Sequence, residues 1–108
     1  MIFSVYTIPI FDKQAKRLGK KYPSLKIELK FLAEKLNIEP DLGTPLGNNF
    51  YKIRLSIDSK GRGKSAGARV VTYVKFNKEE IYLCSIYDKS EKNSISDKEL
   101  SEIFDIIP

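Results

Sequence analysis

The sequence predicts an α+β domain of order β-α-α-β-β-β(-α), with a mostly antiparallel, curved sheet and a helical hairpin packed on one face. Three observations carry this. A β-branched, aromatic opening precedes two stretches with apolar residues at helical spacing. Three later stretches alternate or run apolar as strands do, and a capping-box sequence opens a short final helix. At 108 residues the chain reads as one domain, 1–108, with room for a modest core.

Each element has its own reason. Ile2–Ile8 is rich in residues that favour strands, and Pro9 closes it. Phe11, Ala15, Leu18 and Tyr22 then form a helical stripe, with Lys13, Lys16, Arg17 and Lys20 on the opposite face. Pro23 breaks this helix and suits the first turn of the next. Leu25, Leu29, Leu32 and Leu36 mark that second helix's buried face. Two such helices across a short connection make an antiparallel hairpin with both stripes turned to the sheet. Residues 37–49, full of Pro, Gly and Asn, predict a loop. Strands follow at Phe50–Ile57, Ala68–Phe76 and Glu80–Asp88, the last two joined by a tight turn at Asn77 and Lys78. Ser96 and Glu99 form the capping box, and Leu100, Ile103, Phe104 and Ile107 give the last helix one apolar face.

The formal charge is +5, unevenly spread. Residues 12–35 carry eight basic and three acidic side chains, whereas the segment after Tyr87 carries six acids and three lysines. Nucleic acid and acidic protein are both fitting partners. The chain has no histidine, so any proton transfer falls to Lys, Arg, Tyr, Asp or Glu. The single cysteine, Cys84, excludes an internal disulfide, argues against a structural zinc site and fits a reduced cytoplasmic interior. No apolar run is long enough to span a bilayer, and the apolar start lacks the basic leader and cleavage site of a signal peptide. The expectation is a cytoplasmic protein with no metal, no cofactor and no membrane partner.

Positive charge is densest in Tyr51–Arg69, with six basic residues and one acid. Along Phe50–Ile57, alternation turns Tyr51, Ile53, Leu55 and Ile57 toward the helices, and Lys52 and Arg54 to the other face. Residues two apart on a strand lie roughly 7 Å apart, about the spacing of successive phosphates on a single strand. Arg69 enters the next strand opposite them. A charged edge strand that resists aggregation accounts for the same pattern. The loop SKGRGKSAG ends like a P-loop at Gly63-Lys64-Ser65, but Asp58 stands at the first glycine position and a strand follows. Its Lys60, Arg62 and Lys64 suit a flexible grip on an irregular phosphate backbone. Tyr87 and Lys89 close the last strand, either lining the same concave surface or serving as a structural tyrosine and a turn.

Taken together, YKIR, SKGRGKSAGARVVTY and YLCSIYDKSE resemble the RelE/ParE toxin superfamily, and within it the HigB-type branch, over about residues 9–104. The SKGxGKSxGxR segment followed by I-Y-x-K is the more specific part. The resemblance implies a RelE-like microbial ribonuclease fold and the toxin half of a bacterial toxin–antitoxin pair. It implies a metal-independent ribonuclease, or mRNA interferase, cutting mRNA in the ribosomal A site, with the ribosome, its RNA and a cognate antitoxin as partners. Members of the ParE type share the fold and poison DNA gyrase instead. By matching motif, Lys52 and Arg54 stand where the family keeps two basic catalytic residues, Arg69 where an arginine contacts the scissile phosphate, and Lys89 at or beside a further basic position. The family's downstream tyrosine is replaced here at or near Ile95, leaving Tyr87, Tyr73 or Lys52 alone to cover its role.

Such an enzyme works through the 2′-hydroxyl of RNA, which attacks the adjacent phosphorus. Arg54 and Arg69 suit charge stabilisation, because guanidinium pairs bidentately with phosphate oxygens. Lys52 is the candidate base, since crowding by like charge favours a neutral amine. Tyr87 or Lys89 is the candidate donor to the leaving 5′-oxygen. A plain RNA-binding or acidic-protein-binding module is the remaining reading. An antitoxin would cover the basic face or displace the helix around Leu100–Ile107.

Overall fold

Two neighbouring strands, Ala68–Lys75 (β4) and Glu80–Asp88 (β5), are buried along nearly their whole length, and everything else is arranged about them. A computed structural model describes residues 2–60 and 67–108. The other elements are β1 (Ser4–Thr7), α1 (Pro9–Lys21), α2 (Leu25–Ile38), β2 (Thr44–Gly47), β3 (Phe50–Leu55) and α3 (Asp97–Ile106). The sheet runs β1-β5-β4-β3-β2, with β1 parallel to β5 and every other pair antiparallel. Among the described residues, no helix is long and apolar enough to cross a membrane.

The predicted helices form where their stripes lie. Phe11, Leu18 and Tyr22 are buried from the first, and Leu25, Leu32 and Leu36 from the second. Pro9 is the first residue of α1, behind an extended Ile8, because proline's fixed φ suits a helix start. The capping box forms as its sequence signals: Glu99 N–H donates to Ser96 Oγ, and Ser96 N–H donates to the Glu99 carboxylate. Phe104, expected on the buried face of α3, is 52 % exposed.

The loop predicted over 37–49 is corrected by β2. Thr44–Gly47 pairs with β3 through a two-residue turn whose Asn48 and Asn49 both take positive φ, 54° and 67°. Asparagine tolerates that left-handed backbone, and such turns match the twist of paired strands. Pro45 hid the strand, because proline removes a ladder donor; β2 tolerates it as an edge strand. Other strand ends differ too: β1 covers only Ser4–Thr7 of the predicted Ile2–Ile8, β3 stops at Leu55, and Phe76 belongs to a single helical turn, Phe76–Lys78.

One irregularity sets which way β5 faces. Val71 pairs with Ser85 but Thr72 with Leu83, leaving Cys84 as an extra residue. A bulge of this kind inverts the alternation beyond it. On the other side of β5, β1 reaches only to Leu83, and Gln14 of α1 takes over by accepting from Ile86 N–H at 2.9 Å.

The end of β5 is clamped to α1. Tyr22 donates its hydroxyl to Asp88 Oδ2 at 2.6 Å, while Ser90 donates N–H and Oγ–H to Oδ1 at 2.9 and 2.7 Å. Asp88 is fully buried, so these donors replace the water it gave up. Arg17 and Lys21 also reach Glu91 in the turn that follows, at 2.9 and 3.4 Å. Tyr22→Phe leaves a buried carboxylate one donor short. It should lower stability by about 1–3 kcal/mol, seen as a lower urea midpoint at unchanged slope.

Candidate active site

Cross-strand partners in an antiparallel sheet share a face. The β3–β4–β5 register therefore builds three rows on the face away from α1 and α2. Arg54, Arg69 and Tyr87 form one; Lys52, Val71 and Ser85 the next; Phe50, Tyr73 and Tyr82 the third. Successive rows are roughly 7 Å apart. The register places Lys52, Arg54, Arg69 and Tyr87 on this one face.

Within the first row exposure falls from edge to centre. Arg54 is exposed, whereas Arg69 and Tyr87 are each 5 % exposed. Arg69 donates from its guanidinium to Ala68 O at 3.1 Å. Lys52 is half-buried, and among the described residues neither it nor Arg54 has an ion-pair partner. Two of the acids after β5 are engaged elsewhere: Glu91 with Arg17 and Lys21, Glu99 with Lys92. The Arg17 hydrogen bond holds Glu91 below the usual carboxylate range, and Lys92 does the same for Glu99.

Gly67 admits this row. A Cβ there would sit 2.1 Å from Leu55 O, so only glycine lets the chain enter β4 this close to β3, two residues before Arg69. Lys89 N–H then donates to Gly67 O at 3.0 Å, extending the ladder past Asp88.

The Tyr87 hydroxyl is buried and finds no hydrogen-bond partner among the described residues. Burial pushes its phenol above the ordinary tyrosine range, Arg69 pulls it part of the way back, and Glu99 pushes it up again. It is therefore a proton donor at neutral pH. Lys92, which the sequence reading overlooked, lies over the Tyr87 ring, 5.5 Å from its centroid, and is paired with Glu99. Glu99 was legible as a helix-capping residue; its second partner depends on how the turn after β5 folds back.

Two sequence candidates fall outside the row. The Lys89 ammonium hydrogen-bonds Asn93 O and closes the turn. Tyr73 is four residues from Arg69 along β4, roughly 13 Å, and packs between Phe50 and Phe104. Of the proposed RNA grip, Arg62 and Lys64 lie outside the described residues, and Lys60 is placed at the end of a single helical turn, Asp58–Lys60.

No family model matches this chain. Two solved structures share its architecture. An E. coli RelE toxin bearing two arginine-to-alanine substitutions, in the free state, superposes with a TM-score of 0.66 at 19 % identity over 100 % of both chains. The isolated E. coli RelE toxin gives 0.52 at 20 % identity, over 97 % of this chain and 99 % of that one. At these identities the likeness establishes the fold: this chain has the α+β architecture of RelE.

Cys84 sits in the same sheet as a buried thiol, and burial pushes it up to about 12. A thiol reagent at neutral pH should label Cys84 only as fast as the protein opens. Because folding favours the neutral thiol, that contribution holds below about 9 and is lost as pH rises toward about 12. Cys84→Ala should flatten the alkaline part of a stability–pH curve measured by urea unfolding.

Proposed function

We propose that this protein is the toxin of a type II toxin–antitoxin pair, of the HigB-type, RelE-like branch, and a ribosome-dependent mRNA endonuclease. The observation that carries the reading is the row of Arg54, Arg69 and Tyr87 with Lys52 beside it. Two guanidiniums, an amine and a buried phenol meet on one sheet face, in a chain that lacks histidine.

The RelE architecture supports the reaction class, and the row supplies a role for each group. Lys52, one row along on the same face, takes the proton of the 2′-hydroxyl. The 2′-oxygen bonds to phosphorus, and Arg54 and Arg69 hold the phosphorane oxygens as negative charge builds. The bond from phosphorus to the 5′-oxygen then breaks, and Tyr87 gives that oxygen its proton. A 2′,3′-cyclic phosphate and a 5′-hydroxyl result, with one proton taken and one given. Tyr87 suits the donor role better than Lys89, because it shares the row with Arg69 while Lys89 is held to Asn93 O. The ribosome contributes alignment, which is worth several powers of ten in rate when two reacting groups are held in register. Lys60, Arg62 and Lys64 grip RNA, the cytoplasm is the compartment, and a cognate antitoxin shields the basic face until it is removed.

Induced expression followed by primer extension on cellular mRNA tests the reading. Discrete cuts within reading frames are expected; DNA breaks without mRNA cuts would mark a gyrase poison instead. Lys52→Ala and Arg69→Ala should each abolish cleavage while the protein still folds, and Tyr87→Phe should slow it by about 10²–10⁴-fold. Full activity in any of the three removes that residue from the mechanism. Lys60→Ala with Lys64→Ala should weaken ribosome binding and flatten its dependence on salt.

A further inference from the structure

Beyond the basic row, the same sheet face holds a cleft of about 560 Å³ between the β2–β3 turn and α3. Its aromatic walls are Phe50, Tyr73 and Phe104. The Phe50 and Tyr73 rings lie 5.0 Å apart, and Phe104 meets Tyr73 edge-on at 5.8 Å. Phe104 keeps half its surface open to solvent. Asn48, Asn49 and Asp97 supply polar groups around these rings. Phe50 is itself buried, so Phe104 and the half-buried Tyr73 offer the apolar faces; with amide and carboxylate groups in the same lining they match the needs of a nucleobase, which stacks by its faces and hydrogen-bonds by its edge.

Position selects the ligand. Phe50 and Lys52 are alternate residues of β3 on one face, roughly 7 Å apart, about one nucleotide step along an extended strand. Asp97 repels phosphate, so the anionic backbone belongs on the Lys52–Arg54–Arg69 side and an uncharged base in the cleft. We infer that this cleft is a nucleobase subsite, which takes the base of a nucleotide neighbouring the phosphate held by Lys52, Arg54 and Arg69. This deepens the ribonuclease reading and rests on it for the identity of the strand.

The chain has no tryptophan, so Phe104→Trp gives a single indole at the cleft. The probes are a trinucleotide with deoxyribose at the scissile position and the same molecule lacking the base next to that phosphate. The first should quench the indole saturably and the abasic one should not; no quench, or an equal response to both, overturns the subsite. Phe104→Ala should weaken trinucleotide binding about 5- to 100-fold with the salt slope unchanged. Arg54→Ala should instead reduce that slope by roughly one. Unchanged trinucleotide affinity in Phe104→Ala, as expected if the cleft seats a protein segment, overturns the proposal. Cleavage is read separately, in the ribosome assay. Base-dependent quenching without cleavage sinks the ribonuclease reading and keeps the subsite, whereas cleavage without base-dependent quenching does the reverse.

Discussion

The register that sets Arg54 opposite Arg69 and Arg69 opposite Tyr87 is the constraint on which the rest of this molecule depends. Two like charges facing each other across strands cost roughly 0.2–1 kcal/mol, so the pairing is not held by these side chains. It is held by the other face. Ile53, Val70 and Ile86 occupy alternate positions on the same three strands, all buried. A slip of one residue would turn them to the opposite side, losing about 1.5–3 kcal/mol for each large apolar side chain exposed. The apolar core thus fixes the placement of cations that would not choose each other's company.

Further devices keep that face in order. The extra residue at Cys84 lets β5 present Ser85 and Tyr87 to the site and still place Tyr82 beside Tyr73 lower on the sheet. Glycine at 67 allows the close approach of β3 and β4 where the row begins. The buried Asp88, gripped by Tyr22 and Ser90, pins the end of β5 to α1 and sets the turn that brings Lys92 over the Tyr87 ring. Each acts on backbone placement.

Charge is distributed to the same end. Glu91 and Glu99, which follow β5, pair with Arg17, Lys21 and Lys92, while Lys52 and Arg54 stay without a carboxylate partner among the described residues. A cation without an internal carboxylate partner is open to an anion that arrives from outside, because no existing ion pair has to be broken first. This arrangement differs from ordinary surface charge, where opposite signs intersperse.

Much of this was legible from residue order alone. The leucine stripe of α2, the capping box at Ser96 and the alternation of Lys52 with Ile53 and Arg54 each express a local period or a contact within one helical turn, and the chain's own neighbours dictate them. What required the tertiary structure depends on distant partners: the parallel docking of β1 on β5, the edge strand disguised by Pro45, the bulge at Cys84, and Lys92 closing on Tyr87. Strand pairing and bulge position are settled by where another segment lies, and no local pattern encodes that. Sequence therefore determined which residues carry charge and which way each faces within its element, and packing between elements decided which of them meet.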